Sequence, residues 1–133
     1  MIRRFGTGAL SFGSLMVITL ACADQAITAP PCGAAVTVKV SNSLNPTFSW
    51  APGCQIEQLT VARQASGAIV WSAVSPNQNI IVPPVQYAVT PPGAAMTANR
   101  VEFLVAGTTY EVELFRIDDL GSRQSVGRST FVP

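Results

Sequence analysis

The chain has 133 residues, with 8 basic and 7 acidic side chains and no histidine. That length holds one domain once a leader is set aside. The near-neutral charge leaves no electrostatic footprint for nucleic acid, and the missing histidine excludes Ser-His-Asp and Cys-His catalysis and His-containing zinc sites.

The chain opens on a basic stretch, Met1-Ile2-Arg3-Arg4, and then runs from Phe5 to Ala23 without a charge. The most apolar part, residues 15–20, ends in the small group Ala21-Cys22-Ala23. A basic start, a short apolar run and a small-residue end are the three parts of a secretory signal peptide, here residues 1–23, expected to be helical in the precursor. Gly6, Gly8, Ser11, Gly13 and Ser14 dilute the run too far for a membrane-spanning anchor. Two cleavage readings stand side by side. Ala21-Cys22-Ala23 fits the general signal peptidase, which would leave a free secreted domain starting at Asp24. Thr19-Leu20-Ala21-Cys22 resembles the lipobox of bacterial lipoproteins, which implies lipidation of Cys22 and a domain tethered to a membrane. The second reading is preferred, because a cysteine just past the apolar run and before a small, proline-bearing stretch is what a tether needs.

From Asp24 onward six basic side chains face seven acidic ones, and there is no polybasic patch for anionic lipid. With Cys22 lipidated or discarded, Cys32 and Cys54 remain. Metal binding lacks further ligands and a nucleophile lacks a base, so in an oxidising compartment a disulfide is expected over two free thiols.

Residues 24–35 have no periodicity and read as a linker, followed by a domain over 36–133. Val36, Val38 and Val40 alternate with polar residues and predict a strand; Phe48 and Trp50 predict the next, across turn-forming residues 41–45. Folding that hairpin about Ser43 sets Val36 against Trp50, Val38 against Phe48 and, further out, Cys32 against Cys54. Residues 58–64 and 68–74 predict a second hairpin across Ser66-Gly67. A short apolar run at 79–82 lies between prolines, and 83–99, with Pro83-Pro84 and Pro91-Pro92-Gly93, reads as an ordered long loop or edge segment, since proline lacks a ladder donor. Residues 100–104 and 109–117 predict a third hairpin, with a bulge or sheet edge near Leu114, where the apolar phase reverses. Residues 125–132 predict the last strand. Short strands at close spacing, with no sustained helical periodicity, give an all-β class: a single antiparallel β-sandwich.

Three stretches carry a family resemblance. Phe48-Ser49-Trp50 precedes Pro52; Leu104-x-x-Gly107-Thr108-x-Tyr110-x-Val112 follows; and Asp118-x-x-Gly121 stands before a final strand ending Phe131-Val132-Pro133. In this order they resemble a fibronectin type III domain over residues 36–133. The resemblance implies a core Trp50, with Leu104 also in the core, and a Tyr110 hydroxyl bonded to nearby backbone.

Trp71 and Tyr87 form a possible ligand platform for sugar rings or a peptide if both are exposed together; the preferred reading is that each caps the open edge of the sandwich. Glu111 and Glu113 read as a solvated strand face, and Asp118-Asp119 as a turn rather than a calcium site. No catalytic, metal or cofactor residue is assigned. The expectation is an extracytoplasmic, non-catalytic module, held to the membrane by an N-terminal lipid, that binds protein or glycan at the bacterial cell envelope and has no nucleic-acid partner. The alternatives are a structural envelope protein or a free secreted domain; an enzyme is not expected.

Overall fold

A computed structural model describes residues 32–33, 35–96 and 101–133. The signal peptide, Cys22 and the greater part of the stretch read as a linker lie outside the described residues. Among the described residues eight strands follow one another: β1 (Thr37–Val40), β2 (Thr47–Ala51), β3 (Gln58–Arg63), β4 (Ile69–Val74), β5 (Val85–Gln86), β6 (Ala95–Met96), β7 (Tyr110–Ile117) and β8 (Arg123–Phe131). They form two antiparallel sheets, one in the order β1-β2-β5 and the other in the order β6-β4-β3-β7-β8. The described chain is all-β, and its two sheets make a sandwich-like fold.

Period-two alternation decides which side chains enter the core. In β2, Phe48 and Trp50 are buried; in β3, Leu59 and Val61; in β7, Tyr110, Val112 and Leu114. Five rings thread the interior: Tyr87 against Trp71 (centroids 5.3 Å apart), Trp71 against Phe48 (6.2 Å), Phe48 against Phe131 (5.8 Å) and Phe131 against Tyr110 (5.7 Å). Such pairs contribute about 0.5–1.5 kcal/mol each beyond their buried area. Trp50 lies at the core's edge, where its indole N–H donates to the Cys54 carbonyl at 2.8 Å.

Two bulges break the alternation. In β4, Val61 pairs with Trp71 and Ala62 with Ile69, so Val70 is the extra residue, and Val70 and Trp71 are both buried in succession. Between β7 and β8 the register shifts at Leu114/Phe115, where the sequence places a bulge, and the extra residue is Val126 on the partner strand. Val126 also joins the two sheets, because its carbonyl accepts the Val36 N–H at 2.7 Å. Gly127 makes that approach possible: a Cβ there would lie 2.6 Å from Val36 Cγ2 and 2.9 Å from the Val36 carbonyl oxygen.

Some sequence expectations need correction. Val38 faces Trp50 and Val40 faces Phe48, two residues from the expected register. A two-residue slip keeps every side chain on its face, so alternation alone could not detect it. Cys32 still reaches Cys54, because the chain before β1 has left the ladder. The expected hairpin of 100–104 with 109–117 does not form. β7 pairs with β3 and β8, while residues 101–105 run beside β4, with the Glu102 N–H donating to the Val70 carbonyl. The 79–82 run contributes an isolated bridge, Ile81 with Ile56. The proline-rich stretch is an edge segment carrying β5 and β6.

Candidate functional site

The registers sort the loops onto two ends. One end gathers Cys32 and Cys54, the β2–β3 connection, the loop after β4 and the β7–β8 turn. The other gathers the β3–β4 turn, residues 101–109 and the C-terminus, where Gln64 N–H donates to Thr109 O and Gly107 N–H to Pro133 O. The first is called the entry end below, and the second the far end.

At the entry end Cys32 and Cys54 form a disulfide, with Cα atoms 5.2 Å apart. Glu57, only 1% exposed, lies beside it in the chain and receives a bidentate pair from Arg123, Nε to Oε2 and the terminal nitrogen to Oε1, both at 2.7 Å. That fork raises the Arg123 pKa above its ordinary value. Asp118 shapes the β7–β8 turn: its Oδ1 accepts the Leu120 and Ser122 N–H groups at 2.9 and 2.8 Å. The Ser122 N–H, helped by Leu120 and Gln124, holds the Asp118 carboxyl below the usual aspartate range. The turn therefore consumes Asp118. Asn79 ties the neighbouring loop to β7 through both its side-chain atoms, bonding the Ile117 carbonyl and N–H at 2.7 and 2.8 Å. Between the entry segment and the hairpin lies an open cleft of about 570 Å³, lined by Cys32, Arg116, Asp119, Gln124 and Ser125 among others.

At the far end the two terminal phenols of the aromatic thread hold one backbone segment from beneath. The Tyr87 O–H donates to the Glu102 carbonyl at 2.6 Å, and the Val105 N–H donates to the Tyr110 oxygen at 3.0 Å. The Glu102 carboxylate also meets Arg63. Burial pushes the Tyr87 phenol up to about 12, with Tyr110 and Glu102 adding to the shift. Between these anchors Leu104 is buried, and Phe103 is turned outward, 94% exposed. Ile69, 56% exposed, and Val105, 54% exposed, lie at this same end.

Trp71 and Tyr87, read as a possible platform, are 0% and 3% exposed, so neither ring offers a face to a ligand. Trp71 lies opposite the inward-facing Val61, and Tyr87 packs on it, while the bulge at Val70 turns Ile69 outward. Trp50, Leu104 and Tyr110 are buried. Glu111 and Glu113 are half-buried on β7, and Glu113 is engaged by Arg128 and Ser125. Cys22 lies outside the described residues. Sequence reasoning missed Glu57, whose partner is 66 positions away, and it missed Phe103. A signal for Phe103 existed: once Leu104 is assigned to the core, alternation turns Phe103 outward.

No protein-family model matches the chain, and neither a curated protein nor a solved structure matches it.

Proposed function

We propose that this chain is an exported, lipid-tethered β-sandwich module of the fibronectin type III kind, without a catalytic role, that holds a protein partner at the bacterial envelope through its far end. The fibronectin type III reading is supported by the strand order and by Tyr110. In such domains a tyrosine opening the sixth strand bonds backbone a few residues upstream, as Tyr110 bonds Val105. Export is supported by the leader pattern and by a disulfide, a bond that persists in oxidising compartments. Tethering is supported by the lipobox-like residues 19–22 and by the disulfide, which fastens the chain ten positions later.

Phe103 carries the partner reading. A large ring left 94% exposed, at the same end as the exposed Ile69 and Val105 and on backbone held by two buried tyrosines, is presented in a fixed position. Rigid aromatic side chains are the commonest anchors of protein interfaces, and a pre-held backbone reduces the ordering cost of binding. With Trp71 and Tyr87 buried, the glycan alternative loses the rings that suggested it.

A photo-crosslinking residue at position 103, in the full chain expressed in a bacterium, tests the reading. A discrete heterologous adduct that disappears with Ile69→Ser, and is absent when the crosslinker replaces Thr130 on the outer face of β8, supports it. An adduct of the chain with itself favours the structural envelope protein instead, and no adduct overturns the far-end site. Mass spectrometry of the mature N-terminus separates a lipidated Cys22 from a start at Asp24.

A further inference from the structure

We propose that the entry end of the sandwich rests on the phospholipid surface that anchors it, with Leu120 at the β7–β8 turn inserted among the headgroups. The inference rests on the tether reading above and adds an orientation to it.

Three exposed apolar side chains stand at this end: Leu120 at 91%, Val82 at 46% and Ile80 at 36%. Leu120 sits at the tip of a turn built to hold it out. Asp118 Oδ1 takes the N–H groups of Leu120 and Ser122, the Gly121 N–H donates to the Asp118 carbonyl, and Gly121 supplies a φ of +79° that closes the turn. The Asn79 bonds to Ile117 dock the loop bearing Ile80 and Val82 alongside the same hairpin. These side chains therefore share one end of the molecule, held by side-chain-to-backbone bonds rather than left on independent loops.

The occupant follows from where the chain enters. Cys32 is fastened to Cys54 at this same end, and nine residues separate it from Cys22. Ten peptide steps span at most about 35 Å. A lipid on Cys22 thus keeps the entry end within a few nanometres of a bilayer, at an effective concentration in the millimolar range, where weak contacts are occupied. The far end lies a strand length away; β8 has nine residues, about 30 Å. The charges at the entry end are mixed: Arg116 and Arg123 stand with Asp118, Asp119 and Glu57. Attraction to anionic lipid is therefore not the driving force, and docking is expected on zwitterionic membranes.

The chain's own tryptophans, Trp50 and Trp71, are 5% and 0% exposed, which suits a depth measurement. Leu120→Trp and Phe103→Trp, each at a position more than 90% exposed, place a reporter at opposite ends without disturbing the core. Each variant is produced as the full chain and recovered in its lipidated form. In parallel, the chain from Cys22 is coupled through that thiol to a maleimide phospholipid. Both are bound to phosphatidylcholine vesicles with and without brominated acyl chains. The expected result is at least a twofold quenching of the Leu120→Trp signal above the wild-type background, with none for Phe103→Trp. Unquenched Leu120→Trp on protein that co-floats with vesicles overturns the proposal. So does a Leu120→Trp blue shift that persists without bromine quenching, since that reports contact with protein. Quenching of Phe103→Trp alone reverses the orientation and overturns it as well. A mature chain beginning at Asp24 sinks the tether reading separately, while the maleimide-coupled form still reports whether this end seeks lipid.

Discussion

The two ends of the sandwich are held by different chemistry. The entry end is fastened by a covalent bond and by carboxylates: Cys32–Cys54, the Glu57–Arg123 fork and the Asp118 turn. The far end is fastened chiefly by two phenol oxygens, Tyr87 and Tyr110, buried under the segment that presents Phe103. The Asp118 carboxylate loses its grip when protonated, and the Tyr87 phenol loses the proton it donates when ionised, so these two fastenings are expected to fail at opposite extremes of pH. The comparison also separates roles. The end that would bear the pull of a tether is cross-linked, and the end that leaves Phe103 exposed is braced from within the core.

The largest expected effect breaks the entry end. The disulfide closes a loop with a sequence separation of 22, and the Cys32→Ser/Cys54→Ser variant should lose about 3 kcal/mol in urea unfolding. Hydrogen exchange should then rise at the entry end before the far end; a uniform rise would dissolve the distinction between them.

Next comes alkali. Tyr87, raised from 10.0 to about 12, is neutral in the folded chain where the unfolded chain has begun to ionise. Its contribution is complete below pH 10 and disappears as the pH climbs from 10 to 12, a loss on the order of 2–3 kcal/mol. Tyr87→Phe should flatten that part of the pH–stability curve, and a slope unchanged in the variant would assign it to another group.

Tyr110→Phe removes the oxygen that receives the Val105 N–H and should cost about 1 kcal/mol. Faster exchange of the Val105 amide is the local signature, and full protection in the variant would show that the bond does not hold the segment.

Acid acts at the opposite end. The Asp118 carboxyl is depressed below 3.8, so its support of the turn is complete above that value and is lost as the pH falls through its lower folded value. The Leu120 and Ser122 amide resonances should titrate together there, with the Val105 amide unmoved.

The smallest effect on stability is expected at the most exposed ring. Phe103→Ser should change unfolding by no more than about 0.5 kcal/mol while abolishing crosslinking by a probe placed at Ile69. A large destabilisation would mean that Phe103 serves the fold rather than a partner.

Much of the fold was legible because alternation is a local property. Val38, Phe48, Trp50, Leu59, Val61 and Val112 declare their faces within five residues of chain, and the reversal at Leu114 announced a bulge. The candidate site was less legible. Trp71 and Tyr87 are rings whose environment depends on the pairing of Trp71 with Val61 and on mutual packing across sheets. Phe103 was hidden inside a segment expected to pair with β7, because an apolar run beside a strand reads as a hairpin whether or not it crosses to another neighbour.

By itself the sequence determined the all-β class, most of the inward faces, and the expectation that Cys32 and Cys54 pair. Those follow from side-chain volume, polarity and count, which do not depend on distant neighbours. The tertiary structure decided the two-residue register of β1 on β2 and the burial of Glu57 under Arg123. It also carried residues 101–105 to the edge of β4, and so turned Phe103 toward solvent. Each of these pairs groups far apart in the chain, and a partner chosen by packing leaves no mark on the spacing of nearby residues.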